Sequence, residues 1–225
     1  MMKALLVADL HGTYDSLDPL LDATDPDCLF IAGDITQFGP IEDISALVQR
    51  LGLPVLAVPG NCDPRDSLSC LDDSGAVCLH GSSITMGSVT IAGIGGSNPT
   101  PFNTAFECSE EEIDQIMEDM IQKMEKNQTN VLISHAPPLG LLDEVQPGVH
   151  AGSESIRKHI KAFDIVCCAH IHEQRGVVRS QDTWVVNPGP ASEGYGAVIH
   201  IGDESGDIRI DLIAASPEGV QGNSG

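Results

Sequence analysis

The sequence predicts an α/β protein with parallel βαβ units, and three observations support that fold class. Short apolar runs alternate with segments whose composition favours helices. The length of 225 residues fits a single domain of mixed type. Gly and Pro are frequent, at 23 and 14 residues, which is typical of short elements separated by many turns.

Five apolar runs predict buried strands. They are ALLVA, CLFIA, PVLAV, VLIS and DIVCCA, which end at Ala8, Ala32, Val58, Ser134 and Ala169. Unbroken runs of this length indicate strands covered on both faces, as in parallel sheets. The residues that follow the runs are DLHG, GD, PGNCD, HAPP and HIHE. Because ligands bind beyond the carboxyl ends of parallel strands, these polar segments form the candidate site.

Helices are expected between these strands, at residues 14–23, 41–51, 109–126 and 153–163. Ser109 is a candidate N-cap, since acidic residues follow it in the first turn. The turn-rich segments 75–96 and 176–213 predict antiparallel hairpins. A single domain is therefore expected over residues 1–213, and the tail 214–225 is expected to be poorly ordered.

The charge of the chain restricts its partners. There are 33 acidic and 11 basic residues, which give a net charge of -22. Long nucleic acid is excluded as an expected partner, since binding to a phosphate backbone needs clustered Lys and Arg. The acidity fits an ordinary soluble protein, and adaptation to a salty cytoplasm is the alternative.

The N-terminus and the cysteines indicate the compartment. The apolar run in MMKALLVADLHG ends at an Asp after a few residues, far short of a signal peptide or a membrane span. We therefore expect a cytoplasmic protein without a membrane partner. The seven cysteines show no paired C-x-x-C spacing, so reduced thiols are expected instead of disulfides or a zinc ribbon.

Two pairs of candidate metal ligands share one spacing. Asp9 and His11 lie two residues apart at a strand end, and His170 and His172 repeat that spacing. Carboxylate and imidazole together suit manganese, iron, zinc or nickel. Two neighbouring metal ions need a shared ligand, which a carboxylate provides best. Asp34, in the segment GDITQFG, is the natural bridge.

The five polar segments together resemble a known family. The order DLH, GDITQFG, GNCD, SHAPP and AHIH, over positions 9 to 172, is similar to the motifs of calcineurin-like metallophosphoesterases. The GNCD variant resembles that of small bacterial and archaeal phosphodiesterase-type members. This resemblance implies a four-layer α-β-β-α sandwich, in which two mixed β-sheets are flanked by helices.

The resemblance also implies the ligands of two divalent metal ions. Asp9, His11, Asp34 and His172 would hold one ion. Asp34, Asn61, His135 and His170 would hold the other. The implied catalytic residues are Asp34, Asn61, Cys62 and His135. Manganese is the expected metal, with nickel, iron, zinc or cobalt as alternatives.

Two residues depart from the family pattern. Ala169 replaces the Gly before His170, which is workable where the backbone does not need a positive φ. Cys62 replaces a histidine that, in the family, is thought to position the phosphate and protonate the leaving group. A thiol is a weaker hydrogen-bond donor and brings no positive charge. A covalent cysteine nucleophile is the rival interpretation of Cys62.

The implied function is that of a dinuclear metal-dependent phosphoesterase. Its substrates would be small phosphate esters, phosphodiesters first, attacked by a metal-bridging hydroxide. With the acid missing at position 62, esters whose leaving group departs without a proton are favoured. A catalytically weak or inactive metal-binding scaffold, similar to the phosphoesterase-like subunit of retromer, is the alternative. A nuclease is disfavoured by the acidic charge, and the oligomeric state stays open.

The remaining polar residues receive weaker assignments. His80, His159 and His200 are assigned to the surface or to structural roles. His150 is assigned likewise, with lining of the substrate pocket as its alternative. Substrate choice is assigned to the loops 99–108 and 137–152. Asp63 and Arg65 are assigned to support of the GNCD loop, and simple solvation of both is the alternative. A turn is assigned at 93–97, and a tight turn beside the histidine pair is assigned at 187–190.

Overall fold

The apolar runs of the sequence form strands whose alternate side chains enter two different cores. In β1 (Met2–Val7), Ala4 and Leu6 face one core, whereas Leu5 and Val7 face another. Because both faces are covered, apolar residues follow one another without a polar interruption. The computed structural model of the chain describes residues 1–204 and 206–215 in full and residues 221–223 as backbone.

The strands form two mixed sheets and one separate hairpin. After β1 come β2 (Cys28–Ala32), β3 (Val55–Val58), β4 (Val77–Cys78), β5 (Ser82–Met86), β6 (Val89–Ile94), β7 (Thr129–Ser134), β8 (Glu144–Gln146), β9 (Val149–His150), β10 (Ile165–Cys167), β11 (Gly176–Ser180), β12 (Thr183–Asn187), β13 (Tyr195–Ile201), β14 (Ile208–Ala214) and β15 (Gln221–Asn223). The first sheet has the order β15-β14-β13-β1-β2-β3-β4, and the second has the order β11-β12-β10-β7-β6-β5. β8 pairs only with β9.

Helices cover the outer face of each sheet. They are α1 (Asp18–Thr24), α2 (Glu42–Arg50), α3 (Ser67–Ser74), α4 (Glu110–Lys123) and α5 (Glu154–His159). Leu20, Leu47 and Leu71 of α1, α2 and α3 pack on the first sheet. Met117 of α4 and Ile156 of α5 pack on the second. A third core lies between the two sheets. The predicted four-layer α-β-β-α sandwich is therefore confirmed.

Each of the four predicted helices is present, with small changes at its ends. Residues 14–23 form a 3₁₀ turn, Tyr14–Leu17, that continues into α1. The predicted segment 41–51 contains α2, and α5 continues into the 3₁₀ turn Ile160–Ala162. Ser109 caps α4 through a capping box with Glu112, as its sequence indicates.

The hairpin predictions were correct for part of each segment. β5 pairs antiparallel with β6, whereas β4, in the same segment 75–96, pairs parallel with β3. β11–β12 and β13–β14 are antiparallel hairpins, and β12 also pairs parallel with β10. These parallel pairings were not predicted, because turn residues indicate hairpins between adjacent strands and do not indicate further partners of those strands.

Only part of the predicted tail, 214–225, is described. In it, Gln221–Asn223 pairs antiparallel with β14, and residues 216–220 and 224–225 lie outside the described residues. The described helices include none with the length and apolar character needed to cross a membrane.

Candidate metal centre

The ends of the central strands bring the polar segments of the sequence together. After β1 and β2, the amide of Asp9 donates to Gly33 O (3.0 Å) and the amide of His11 donates to Asp34 O (2.9 Å). After β7 and β10, the amide of Ala169 donates to His135 O at 2.9 Å. These bonds join the segment after β1 to the segment after β2, and the segment after β7 to the segment after β10. All four segments lie beyond the strand ends, where ligands bind in such sheets.

Four of the predicted ligands have backbones in the left-handed region. The φ angles of Asp9, His11, Asp34 and His170 are 54°, 46°, 50° and 71°. Such conformations are uncommon for residues with a side chain and cluster at functional sites. Ala169 is not among the residues with a positive φ, so alanine is acceptable where the family pattern has glycine.

Two glycines leave room for the side chains of this centre. A Cβ on Gly60 would collide with the carboxylate and the amide of Asp34. A Cβ on Gly33 would lie 2.6 Å from Nδ1 of His135, and Gly33 also has a φ of +89°. The glycines of the GD and GN segments are therefore required for the close approach of Asp34 and His135.

Asp34 lies between two groups of candidate ligands. Its Oδ2 is 3.8 Å from Nε2 of His11, and its Oδ1 is 3.5 Å from Nε2 of His135. Oδ1 also accepts a hydrogen bond from the amide of Cys62 at 2.8 Å. Because its two oxygens face different histidines, Asp34 is placed as a bridging carboxylate would be.

The first group consists of Asp9, His11 and His172. Nε2 of His172 lies 3.5 Å from Oδ1 of Asp9 and 3.4 Å from Nε2 of His11. Asp9 is fully buried, and both its carboxylate oxygens lack a hydrogen-bond partner among the described residues, as does Nδ1 of His11. Buried polar atoms are rarely left unpaired, so these atoms are suited to a cation.

Electrostatics in this group favour charge on the carboxylate. Burial raises the pKa of Asp9, but contact with His172 and the nearby His135 and His11 outweigh it and hold the pKa below its ordinary value. The contact with Asp9 raises the pKa of His172, although burial opposes that change. The lowered pKa favours the ionised carboxylate of Asp9, which is the form that binds a cation.

The second group consists of Asn61, His135 and His170. Nδ1 of His135 donates to Ala32 O at 2.8 Å, which leaves the lone pair of a neutral ring on Nε2, 2.8 Å from Oδ1 of Asn61. Two acceptors this close together suit a cation that both can coordinate from one side. The ring of His170 lies 5.0 Å from that of His135, and burial, together with His135, lowers the pKa of His170 to about 4.

All seven predicted ligands therefore lie in one connected cluster, and their chemistry fits two divalent ions. The donor set mixes carboxylate, amide and imidazole groups, as manganese, iron, nickel and zinc sites do. Four residues of the set, Asp9, His11, Asp34 and His172, suit one ion, and Asp34, Asn61, His135 and His170 suit the other. The identity of each ligand stays a prediction.

Cys62 lies at the edge of the centre. Its Sγ is 3.8 Å from Nδ2 of Asn61 and within 4.8 Å of ligand atoms of His11 and Asp34. Burial and the carboxylate of Asp34 raise the pKa of the Cys62 thiol. Among the described residues no imidazole forms a hydrogen bond with Sγ, so the geometry does not favour the rival interpretation of an activated nucleophile.

Asp63 supports the GNCD loop, as predicted. Its carboxylate is fully buried and accepts hydrogen bonds from the amides of Ile35, Thr36 and Gly60, at 3.0, 2.7 and 2.8 Å. It thereby ties the segment after β2 to the segment after β3. Arg65 supports a neighbouring loop instead, since it donates to Glu107 O at 2.7 Å and its guanidinium stacks on Phe106.

Sequence reasoning missed the residues that orient Asn61. Its Nδ2 donates to Oγ1 of Thr104 at 3.0 Å, and that hydroxyl donates to Glu107 at 2.6 Å. No local pattern of residues marks Thr104, because the contact joins loops 43 residues apart. The turn at 187–190 is present, and Nδ2 of Asn187 donates to Ile171 O at 2.9 Å, between the paired histidines.

A cleft of about 830 Å³ opens beside the centre. This volume is typical of sites for small molecules, which measure roughly 300–1,000 Å³. Residues from both predicted substrate loops line it, including Pro99, Phe102 and Val145, together with His170 and His172. His150 also lines the cleft, which matches the alternative considered for it.

The other three histidines have structural or surface contacts. His80 accepts a hydrogen bond from the amide of Gly95 at 3.0 Å and stacks on Phe106. His159 pairs with Asp114 at 2.7 Å, and His200 lies 3.8 Å from Asp211. None of the three lines the cleft in the part of the chain that the structure describes.

Comparisons with known proteins agree with the fold and the motifs. The sequence profile of the calcineurin-like phosphoesterases matches residues 2–174. The uncharacterized protein MJ1162 of Methanocaldococcus jannaschii is 38% identical over 203 residues, which cover 85% of this chain and 89% of that protein. The symmetrical bis(5'-nucleosyl)-tetraphosphatase of Baumannia cicadellinicola is 37% identical over 67 residues, 28% of this chain and 23% of that protein.

Solved structures share the fold at low sequence identity. TT1561 of Thermus thermophilus superimposes with a TM-score of 0.68 at 17% identity and covers 99% of this chain and 98% of its own. Vps29 of Chaetomium thermophilum superimposes with a TM-score of 0.51 at 12% identity, over 99% and 96% of the two chains. Together with the profile match over most of the sequence, the fold and the ordered motifs assign the chain to the calcineurin-like phosphoesterase family.

Proposed function

We propose that the protein is a phosphodiesterase that depends on two divalent metal ions and hydrolyses small phosphodiesters. The observation that carries this proposal is the convergence of six further ligand-type side chains around Asp34. Membership of the phosphoesterase family supports hydrolysis of phosphate esters in general. The diester preference rests on the residues of this chain, and manganese is one of the metals that its mixed donor set suits.

The bound ions would supply the electrophilic chemistry of the site: they lower the pKa of water and stabilise negative charge on phosphate oxygens. Asp34 would hold both ions, since each of its oxygens faces one group of ligands. Asp63 holds the loops of Asp34 and Asn61 in register. Thr104 fixes the amide of Asn61, so that its oxygen is directed at His135 and the metal site.

The charges of the cleft favour a diester over a monoester. Glu110, Glu154 and Glu173 line the cleft, whereas no Lys or Arg of the described residues does. A phosphomonoester carries up to two negative charges near neutral pH and a diester only one, so the carboxylates repel the monoester more strongly. Cys62 adds no positive charge where the family pattern has a histidine.

Hydrolysis assays on the metal-stripped chain, reloaded with Mn²⁺, test this function. We expect release of p-nitrophenol from bis(p-nitrophenyl) phosphate to be faster than from p-nitrophenyl phosphate. Asp34→Asn should lose the activity, because one oxygen of the bridge becomes an uncharged amide. Asp114→Asn, which changes a carboxylate on α4 outside the cleft, should retain it. An inactive wild type, or an Asp34→Asn variant as active as wild type, would refute the proposal.

A binding scaffold is the second candidate. The likeness to Vps29 shows the fold alone and does not favour this reading. A scaffold whose activity was lost would not need Asp9 buried with two unpaired oxygens. The absence of turnover of any ester by a chain that binds two equivalents of Mn²⁺ would favour the scaffold.

A further inference from the structure

We propose that His150, oriented by the buried carboxylate of Asp143, is the general acid that protonates the leaving group in the cleft. This inference rests on the proposed phosphodiesterase function and adds a catalytic residue to it. Position 62 still lacks a general acid under this proposal, but the site as a whole does not. The donor comes from another loop, which approaches the metal centre from the cleft side.

The geometry of the pair is that of an oriented imidazole. Nδ1 of His150 lies 2.7 Å from Oδ1 of Asp143, whose side chain is 1% exposed. The other oxygen of Asp143 accepts hydrogen bonds from the amides of Gly140 and Gly152, at 2.9 and 3.0 Å. The carboxylate is therefore held by the backbone and directed at one ring nitrogen. A buried carboxylate bound to Nδ1 is how imidazoles are oriented for proton transfer.

The backbone reinforces this pairing. The amide of Ala151, next to His150, donates to the carbonyl of Asp143 at 3.0 Å, and β8 and β9 close the hairpin between the two residues. Gly152 also packs so closely on Asp143 that a Cβ there would lie 2.9 Å from Oδ2. The hairpin therefore has a fixed geometry at its base, where the pair is located.

Nε2 of His150 is the ring nitrogen left for a substrate. The hydrogen bond to Asp143 occupies Nδ1, and the side chain is 44% exposed. His150 lines the same cleft as His170 and His172, two of the predicted metal ligands. A diester whose phosphate rests on the metal centre would extend one of its two alcohol groups into that cleft. We therefore infer that the leaving group occupies the cleft that His150 lines.

The charges around His150 favour its protonated form. The hydrogen bond and charge of Asp143 raise the pKa of His150, burial opposes this slightly, and Glu144 adds to the rise. Other elements contribute the carboxylates of Glu110, Glu154 and Glu173 and the imidazoles of His170 and His172 to the lining of the same cleft. A donor must carry its proton near the working pH, and a raised pKa favours the protonated form.

The proposed step balances in atoms and charge. Water, as hydroxide, forms the new P–O bond, and the bond from phosphorus to the leaving oxygen breaks with its electron pair on that oxygen. The leaving oxygen takes the proton from Nε2 of His150 and departs as an alcohol. His150 is left neutral and recovers a proton from solvent, while the product is a phosphomonoester.

Two methyl aryl phosphates that differ only in the nitro group of the leaving phenol test this role. p-Nitrophenolate departs without a proton, whereas phenol is a weaker acid and its oxygen needs a proton to depart. We expect His150→Asn to lower kcat for methyl phenyl phosphate by about 10²–10⁴-fold, the range for loss of a general acid, with little change for methyl p-nitrophenyl phosphate. In wild type, kcat for the phenyl ester should fall as pH rises through the pKa of His150, and the variant should lack that fall.

His159→Asn is the matched control, because His159 is also paired with a carboxylate, Asp114, but lies outside the cleft. Its two rates should stay at wild-type values. A loss in His150→Asn that is equal for both esters, or no loss for either, would overturn the proposal. Failure of the proposed function is distinguishable, since the wild type itself would then hydrolyse neither ester.

Discussion

Asp9 is the residue that indicates most clearly what the centre binds. Its carboxylate is fully buried, and its two oxygens have no hydrogen-bond partner in the described part of the chain. Burial of a charge without compensation is costly, and a cation at this place removes the cost. The nearby histidines lower the pKa of Asp9, which favours the ionised carboxylate that a metal ion binds.

Replacement of Asp9 should remove the stabilisation that metal gives. Ligands that bind only the folded state stabilise it by about 2.7 kcal/mol at a concentration of 100 Kd. We therefore expect Mn²⁺ to raise the Tm of wild type, and Asp9→Asn to show little or no rise. Thermal unfolding with and without Mn²⁺ measures this. Asp22→Asn, an exposed change on α1, should respond like wild type; an equal Tm rise in Asp9→Asn would contradict the metal assignment.

Replacement of Cys62 should change the activity little. Its thiol has a raised pKa and no basic partner among the described residues, so we do not expect it to act as a nucleophile. A thiol is also a weaker hydrogen-bond donor than a protonated imidazole. We expect Cys62→Ser to retain activity on bis(p-nitrophenyl) phosphate within about tenfold, less than the 10²–10⁴-fold that loss of an acid costs. Steady-state kinetics measure this. A trapped phosphoryl-cysteine in wild type would instead support the covalent alternative.

All seven candidate ligands could be selected from the sequence because each follows an apolar strand in a short motif. Motifs are local, and parallel strands bring their ends to one edge. Asp143 and Thr104 were not predicted, since nothing adjacent to them marks their partners. Asp143 precedes His150 by seven residues, and their pairing depends on the closure of a hairpin. Such roles become visible only when loops have a defined conformation.

At the scale of elements, the loop between β6 and α4 depends on one carboxylate. Glu107 accepts hydrogen bonds from the amides and the hydroxyls of Thr100 and Thr104. Through Thr104 it also positions Asn61, and residues beside Thr100 line the cleft. This carboxylate therefore links the shape of the cleft to the metal centre.

Glu107 should make the stability of the chain depend on pH. Burial raises its pKa, but the bonds from Thr100 and Thr104 outweigh burial and lower the pKa to about 2, from an ordinary value of 4.5. A carboxyl whose pKa is lower in the folded state stabilises that state above its unfolded pKa, and this stabilisation is lost as pH falls from about 4.5 towards 2.

Urea unfolding in chelator at about pH 6 and about pH 3 tests this dependence. Glu107→Gln should lose less free energy of unfolding between the two pH values than wild type does, because its side chain does not titrate. Glu111→Gln, an exposed change in α4, should behave like wild type. An identical loss in wild type and Glu107→Gln would show that this carboxylate does not contribute.

Helix α3 shows where prediction of elements fails. Its sequence, SLSCLDDS, has few strong helix formers and buries only Ser67 and Leu71. Packing against α2 stabilises it, and that contact is invisible in the sequence. Helix α4 was predictable, since it has the local signals of a capping box and an apolar stripe at Ile113, Met117 and Met120.

At the scale of the whole molecule, the net charge of -22 leads us to expect that the chain does not bind polyanions. We expect no retention of duplex DNA in an electrophoretic shift assay at moderate salt. Lys and Arg do not line the cleft among the described residues, so the cleft offers no basic surface for a phosphate backbone. Duplex binding that weakens steeply with salt would contradict this prediction and would revive the nuclease alternative.

The two-sheet architecture was predictable only through the family resemblance. Apolar runs predicted the strands, but their lengths and spacing do not say which strands share a sheet. The assembled core joins residues far apart in the chain, as Phe30 of β2 and Val131 of β7 show. Successive side chains of β1 point to opposite faces of the sheet. Because both faces are covered, alternate residues of β1 therefore enter two different cores.

The central claim is that distant strand ends assemble a site for two metal ions, and anomalous diffraction from manganese-soaked crystals tests it most directly. We predict two peaks separated by about 3.5–4 Å. One should lie among Asp9, His11 and His172, the other among Asn61, His135 and His170, with Asp34 between them. No peak at the centre, or manganese bound only at the Asp114, Glu118 and His159 surface cluster, would contradict the account.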